Sequence, residues 1–237
     1  MHYCGVVPMR DMLQVAMLEE VRAPEPPIRL SAIFFEPGSA AQVAAELRSL
    51  GEVVVAVGAP LHEPLEGRPG RDCDALLLRL GIGPEKPSRV TRALAELLHG
   101  MAIFRPDGAD GHDGPVGEGA YHDAPVFETN ADGVFCALQG RRLPARRHPL
   151  GMQMRIEELR GDHVLDEGGE LWHRRAEEID AAACALGAHR YAVGHACWLG
   201  DPSEAVVVLP GSAVPEELPT QGVLPPVERL QLPPVTE

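Results

Sequence analysis

Residues 175–188 read RAEEIDAAACALGA. Asp180 stands in the middle of small residues whose pattern predicts the core-facing side of a helix. An ionised carboxylate held away from water is costly unless it is paired, hydrogen-bonded or bound to a metal. Glu177 lies three residues earlier, so the two acids share one helix face. Asp180 is therefore either a metal ligand or an acid satisfied by a backbone group or an arginine, and the string alone leaves both readings open. Arg174 and Arg175 stand close enough to pair with Glu178. A second cluster of polar chemistry lies in RPDGADGHDGPVGEGAYHD, with His112, Asp113, Glu118, His122 and Asp123. Its spacing fits no established metal motif. It reads as a solvated loop, with a gate over a site as the functional alternative. The segment GRRLPARRH offers Arg141, Arg142, Arg146, Arg147 and His148 with no acid among them. It could contact phosphate, or it could pair with the chain's own acids or with a second subunit. No aromatic residues interleave it, so it lacks the stacking platform of a single-strand binder.

Other chemistries find little support. Cys73 and Cys184 sit among apolar residues on helix faces and read as core. Ser39, Ser88 and Ser203 stand at helix or turn starts without a nucleophile elbow. There is no dinucleotide fingerprint and no phosphate-binding loop. The net charge of −14 argues against a non-specific nucleic-acid coat and against an anionic membrane surface. Five scattered cysteines form no C-x-x-C pair, which suggests neither a zinc ribbon nor a disulfide scaffold. With no signal-like N-terminus and no long apolar run, the expectation is a soluble protein of the cytoplasm with no membrane partner.

The elements that must position these residues follow from periodicity. Tyr3–Pro8, Met12–Val21 and Ile28–Phe35 read as an antiparallel meander, the last two joined by an APEPP turn. Ser39 opens a helix with the capping box S-A-A-Q, and Gly51 ends it. Val53–Val57 is a continuous β-branched run, which indicates a strand buried on both faces. Helices are expected at Asp72–Leu80, Ser88–His99 and Met152–Arg160, after Asn130 through Leu138, and at Leu171–Gly194. Short strands are expected at Ala124–Glu128 and Ala205–Leu209. Residues 105–123 are too rich in Gly and Asp to pack as an element. Six prolines from Pro215 onward predict an extended tail, with apolar stretches that could dock on the body or on another chain.

The string EEIDAAACALGAHRYAVG, followed by WLGDPSEAVVVLPG, resembles the C-terminal signature of the domain of unknown function 429 family, described as predicted nucleases with an RNase H-like fold. VVVAVGAPL, GRDCDALLLRLG and VFETNADGVFCALQGRRLPA resemble further stretches of it. Together these cover most of Val53–Gly211, and the resemblance implies one α/β domain over residues 1–211; the proline-rich tail takes up 212–237. The expected sheet is mixed and five-stranded, with the first strand central, the second and then the third on one side of it and the fourth and then the fifth on the other; the three N-terminal strands are antiparallel, the additions parallel, and helices cover both faces. It also implies phosphodiester hydrolysis by two divalent metals, Mg²⁺ or Mn²⁺, roughly 3.5–4 Å apart and held by carboxylates. By that resemblance Glu128, Glu177 and Asp180 are the catalytic and metal-ligating residues, and Glu177 with Asp180 forms an E-x-x-D version of the family superfold's helical pair. Two positions depart from the pattern. Val7 stands where an Asp is expected in the first strand, and Gly58 stands where I-D-A-P would place another. Both changes remove a ligand. Asp11, Glu19 and Glu63 are the acids that could substitute.

Two functions follow. One is a metal-dependent nuclease with an incomplete site, its activity weak or lost. The other is a non-catalytic binding protein with no cofactor. It would engage a protein partner or nucleic acid through Arg141, Arg142, Arg146 and Arg147 and the tail, alone or as a homo-oligomer. As for Asp180, Glu128 has a second reading, as an acid favoured by the dipole of the helix that Asn130 caps.

Overall fold

The computed structural model describes residues 1–21, 29–106 and 112–219. The meander forms as expected: β1 (His2–Met9), β2 (Met12–Val21) and β3 (Arg29–Phe34) pair antiparallel. The APEPP segment lies outside the described residues. Ser39 caps α1 (Ala40–Ser49) through a reciprocal box with Gln42. β4 (Val53–Val57), buried at every residue, runs parallel to β1 with Tyr3 opposite Val54. Then follow α2 (Asp72–Arg79), α3 (Arg89–Leu97), β5 (Asp113–Pro115), the single turn α4 (Ala120–Asp123) and β6 (Val126–Glu128). The chain continues through α5 (Ala131–Gln139), α6 (Pro149–Gly161), α7 (Ala176–Ala192), β7 (Ala196–Asp201) and β8 (Ala205–Pro210). The main sheet has the order β3-β2-β1-β4-β6, with β6 parallel to β4. This is the mixed five-stranded α/β sheet, β1 central, that an RNase H-like fold requires.

Alternation along β1 builds two cores. Tyr3 and Val7 join the cluster under α7, whereas Cys4 and Val6 join the one under α1 and α3. α7 lies almost directly on the sheet because Gly5 has no side chain to hold it away. A Cβ at Gly5 would come within 1.9 Å of the Ala181 carbonyl and 2.3 Å of the Ala185 amide nitrogen. The alanines of α7 are the other half of this close approach.

Three expectations are corrected. The long helix expected over Leu171–Gly194 is broken: Glu170–His173 forms a separate 3₁₀ turn and α7 begins at Ala176. The Glu178 carboxylate accepts the Arg175 amide at 2.8 Å and closes the helix start there. Secondly, part of residues 105–123 does pack, as β5 and α4, although 107–111 lie outside the described residues. Gly114 makes this workable, because its bare backbone passes over the Trp198 ring, where a Cβ would stand 3.2 Å from the indole nitrogen. Thirdly, β7 is an added strand. It pairs antiparallel with both β5 and β8 in a second, three-stranded sheet. Trp198, Val206 and Val208 face the α7 cluster, and Cys197, Leu199, Val207 and Leu209 face a third cluster with Leu77 of α2. That burial on both faces is why AVVVLP carries no polar alternation.

Of the tail, residues 212–219 are described: Leu218 is buried and the Pro219 carbonyl accepts the Arg142 amide at 3.0 Å. Residues 220–237 lie outside the description. Among the described residues no helix is long and apolar enough to cross a membrane. All five cysteines are buried and unbridged.

Candidate functional site

Parallel pairing brings Val7, Gly58 and Glu128 together at the C-terminal ends of β1, β4 and β6, with Cys184 of α7 against Gly58. The middle of this place is apolar and full. A Cβ at Gly58 would stand 2.8 Å from the Cys184 sulfur and 2.9 Å from a Val7 methyl. An acid at position 58 has no room, and the one expected at position 7 is a core valine.

Glu128 ends β6 opposite Val57 and is 4 % exposed. Its carboxylate is gripped by both terminal nitrogens of Arg71, Nη1 to Oε2 and Nη2 to Oε1, each at 2.8 Å. The Leu61 amide donates to Oε2 at 2.9 Å. Arg71, itself buried, spends its remaining donors on Asp74 at 3.0 and 2.7 Å and on the His62 carbonyl. Burial pushes the Glu128 carboxyl above its ordinary pKa, against the pull of the guanidinium and the amide. Paired forks of this kind satisfy planar carboxylates in two directions at once.

Asp180, one turn before Cys184 on α7, is 2 % exposed. Arg146 donates from Nη1 to its Oδ2 at 2.7 Å, while Oδ1 has no hydrogen-bond partner among the described residues. Arg155, bonded to Asp132 at 2.6 Å, adds charge nearby. Burial dominates, and raises Asp180 from the usual 3.8 to about 6 despite Arg146. Between those values the folded protein keeps a proton that the unfolded chain releases. Stability from this group therefore falls as pH rises from about 4 to about 6. Asp180→Asn should flatten that part of a urea-denaturation profile taken against pH; an unchanged slope would refute the assignment. Glu177 is largely shielded and stands 3.9 Å from the exposed Arg147. Glu178 pairs with Arg174 and Arg175, as its spacing suggested.

A family model, described as "Protein of unknown function (DUF429)", matches residues 21–204. The chain belongs to the DUF429 family. Among solved structures, RuvC from Thermus thermophilus aligns over 81 % of this chain and 94 % of its own, at 13 % identity and a TM-score of 0.41. No curated protein matches the chain.

For this DUF429 chain the donor set does not fit the two-metal centre that the resemblance implies. Each expected ligand faces an arginine, Val7 and Cys184 close around Gly58, and no group of three or more His, Cys, Asp or Glu that could hold a metal occurs among the described residues. The substitute acids lie elsewhere: Asp11 lines a groove between α1 and α3, Glu19 pairs with His2, and Glu63 pairs with Arg92. In the basic segment, Arg146 is committed to Asp180, and Arg142 lies across Gly81, where a Cβ would meet it at 2.5 Å. Arg141 and Arg147 remain exposed. The loop residues His112, Asp113, Glu118, His122 and Asp123 are all exposed, with His112 near Asp72 at 3.2 Å.

Sequence reasoning missed Arg71, Asp74 and Glu204. Glu204 is buried and accepts the Leu65 and Asp72 amides, which pins the start of α2 and so the position of Arg71. The signal for the first pair was present, since Arg71 and Asp74 stand at i and i+3 in GRDCDALLL. Nothing local announced Glu204, because its partners are more than a hundred residues away.

Proposed function

We propose that this DUF429 protein binds a protein partner through its RNase H-like scaffold and does not hydrolyse nucleic acid. The observation that carries this is the Arg71–Glu128 fork. A fixed guanidinium occupies the ligand face of the carboxylate, so the charge a metal would neutralise is already neutralised from within. The Arg146–Asp180 pair and the apolar plug at Val7 and Gly58 support it. Nucleic acid is the weaker partner, because Arg146 and the Arg142 stem are engaged internally and the overall charge is −14.

One observation favours the alternative, a divalent-metal nuclease acting through Glu128, Glu177 and Asp180: the unpartnered Oδ1 of Asp180. The two are separated by incubating the full chain with single-stranded, duplex and branched nucleic acids in Mg²⁺ or Mn²⁺. No product above buffer is expected with either metal. Cleavage that vanishes in Asp180→Asn would overturn the proposal.

A further inference from the structure

β3 is the outer strand of the main sheet, and half of its free edge is covered. Leu30 donates to the His163 carbonyl at 3.0 Å and accepts from the Leu165 amide at 2.8 Å, so residues 163–165 run beside it as a short parallel strand. Beyond Leu165 the chain turns away. On β3 the alternation places Ile33 and Ser31 toward β2, and Ala32 and Phe34 outward like Leu30. Neither Ala32 nor Phe34 has a backbone hydrogen-bond partner on that side among the described residues.

The departing chain leaves a cavity of about 240 Å³ against this open edge, lined by Ser31, Ala32, Phe34 and residues 165–168, 170 and 171. Its charged lining is wholly acidic: Asp166, Glu167 and Glu170. The Asp166 side chain is 2 % exposed, and among the described residues its Oδ2 has no hydrogen-bond partner; Arg160 stands 3.7 Å from it. Its Oδ1 accepts the Leu171 amide. Arg174 stacks over the Phe34 ring and reaches Glu170 at 3.7 Å. Trp172 and Ile33 are exposed nearby.

From this juxtaposition we infer that the Ala32–Phe34 edge accepts an extended segment of a partner protein, which continues the strand begun by residues 163–165 and places a lysine or arginine against Asp166, Glu167 and Glu170. Backbone pairing supplies the affinity in such strand addition, and the side-chain pocket supplies the choice of partner. The acidic lining selects a basic segment and disfavours a second copy of this acidic chain. This names a partner class for the binding reading above, yet it fails separately: peptide binding can be absent while nucleic acid stays uncut.

The probe is a short, end-blocked peptide of alternating valine and lysine, with alternating valine and glutamate as control, titrated into the full chain by fluorescence anisotropy with amide exchange followed by NMR. The expected result is saturable binding of the lysine peptide only, with slowed exchange at the Ala32 and Phe34 amides. The double variant Glu167→Gln/Glu170→Gln should weaken binding by about fivefold. Ala32→Pro, which removes an N–H that no described residue uses, should abolish it. If that variant does not fold, the exchange data on the unaltered protein decide. Equal binding of both peptides, or unchanged exchange at Ala32 and Phe34 on saturation, overturns the inference. So does protection of those amides in the free protein, whether independent of concentration, as the chain's own tail would give, or rising with it, as a second copy would.

Discussion

Replacing Arg71 with methionine is expected to destabilise the protein by about 3–5 kcal/mol, because it strips the counter-charge from a buried carboxylate. Glu128 would keep only the Leu61 amide, and Asp74 would lose its fork as well. A carboxylate buried to that degree either takes up a proton or draws in water, and both loosen the junction between β6 and the loop before α2. The diagnostic step is the second substitution. Arg71→Met/Glu128→Leu should recover most of the loss, since exchanging both members of a buried pair for apolar groups is often close to neutral. Urea denaturation of the two variants against the unaltered protein measures this. If Arg71→Met costs less than about 1 kcal/mol, as exposed pairs do, the fork is not the anchor described above.

Gly5→Ala is the second large effect. The added methyl would overlap the Ala181 carbonyl and the Ala185 amide, and these are helix backbone, which cannot rotate aside. Overpacking against mobile side chains typically costs about 1–3 kcal/mol. Here β1 and α7 must separate, so the cost should lie at or above the top of that range, with loss of the cooperative transition under mild conditions. Gly187→Ala is the control on the same helix, because its Cβ would meet only a Val134 methyl at an ordinary 3.4 Å. Calorimetric unfolding of both should show a large fall for Gly5→Ala and little for Gly187→Ala. Similar values for the two would contradict the docking geometry.

What the sequence revealed divides along physical lines. The main sheet was legible because its signals are local: a capping box at Ser39, a short apolar run in β1, partial alternation in β2 and β3, and a β-branched run in β4. The small-residue pattern of α7 likewise betrayed its closeness to the sheet. β7 was not legible, since ACWLGD is short, lacks β-branched residues and carries Gly200, and it acquires its strand only from partners in β5 and β8. At the site, Glu128, Glu177 and Asp180 could be placed from their strings. Their partners could not, for Arg71 and Arg146 reach them from 57 and 34 residues away. The two open readings of Asp180, ligand or arginine-paired acid, therefore needed three-dimensional contact: Arg146 satisfies one oxygen and leaves the other bare.

On the proposed reading, the guanidinium groups of Arg71 and Arg146 balance the Glu128 and Asp180 carboxylates in place of metal ions. Calorimetric titration of the full chain with Mn²⁺ tests it most directly, with Asp180→Asn and Glu128→Gln titrated alongside. The expected result is no saturable heat from any of the three. A stoichiometric Mn²⁺ site in the unaltered protein that disappears in Asp180→Asn would contradict the claim.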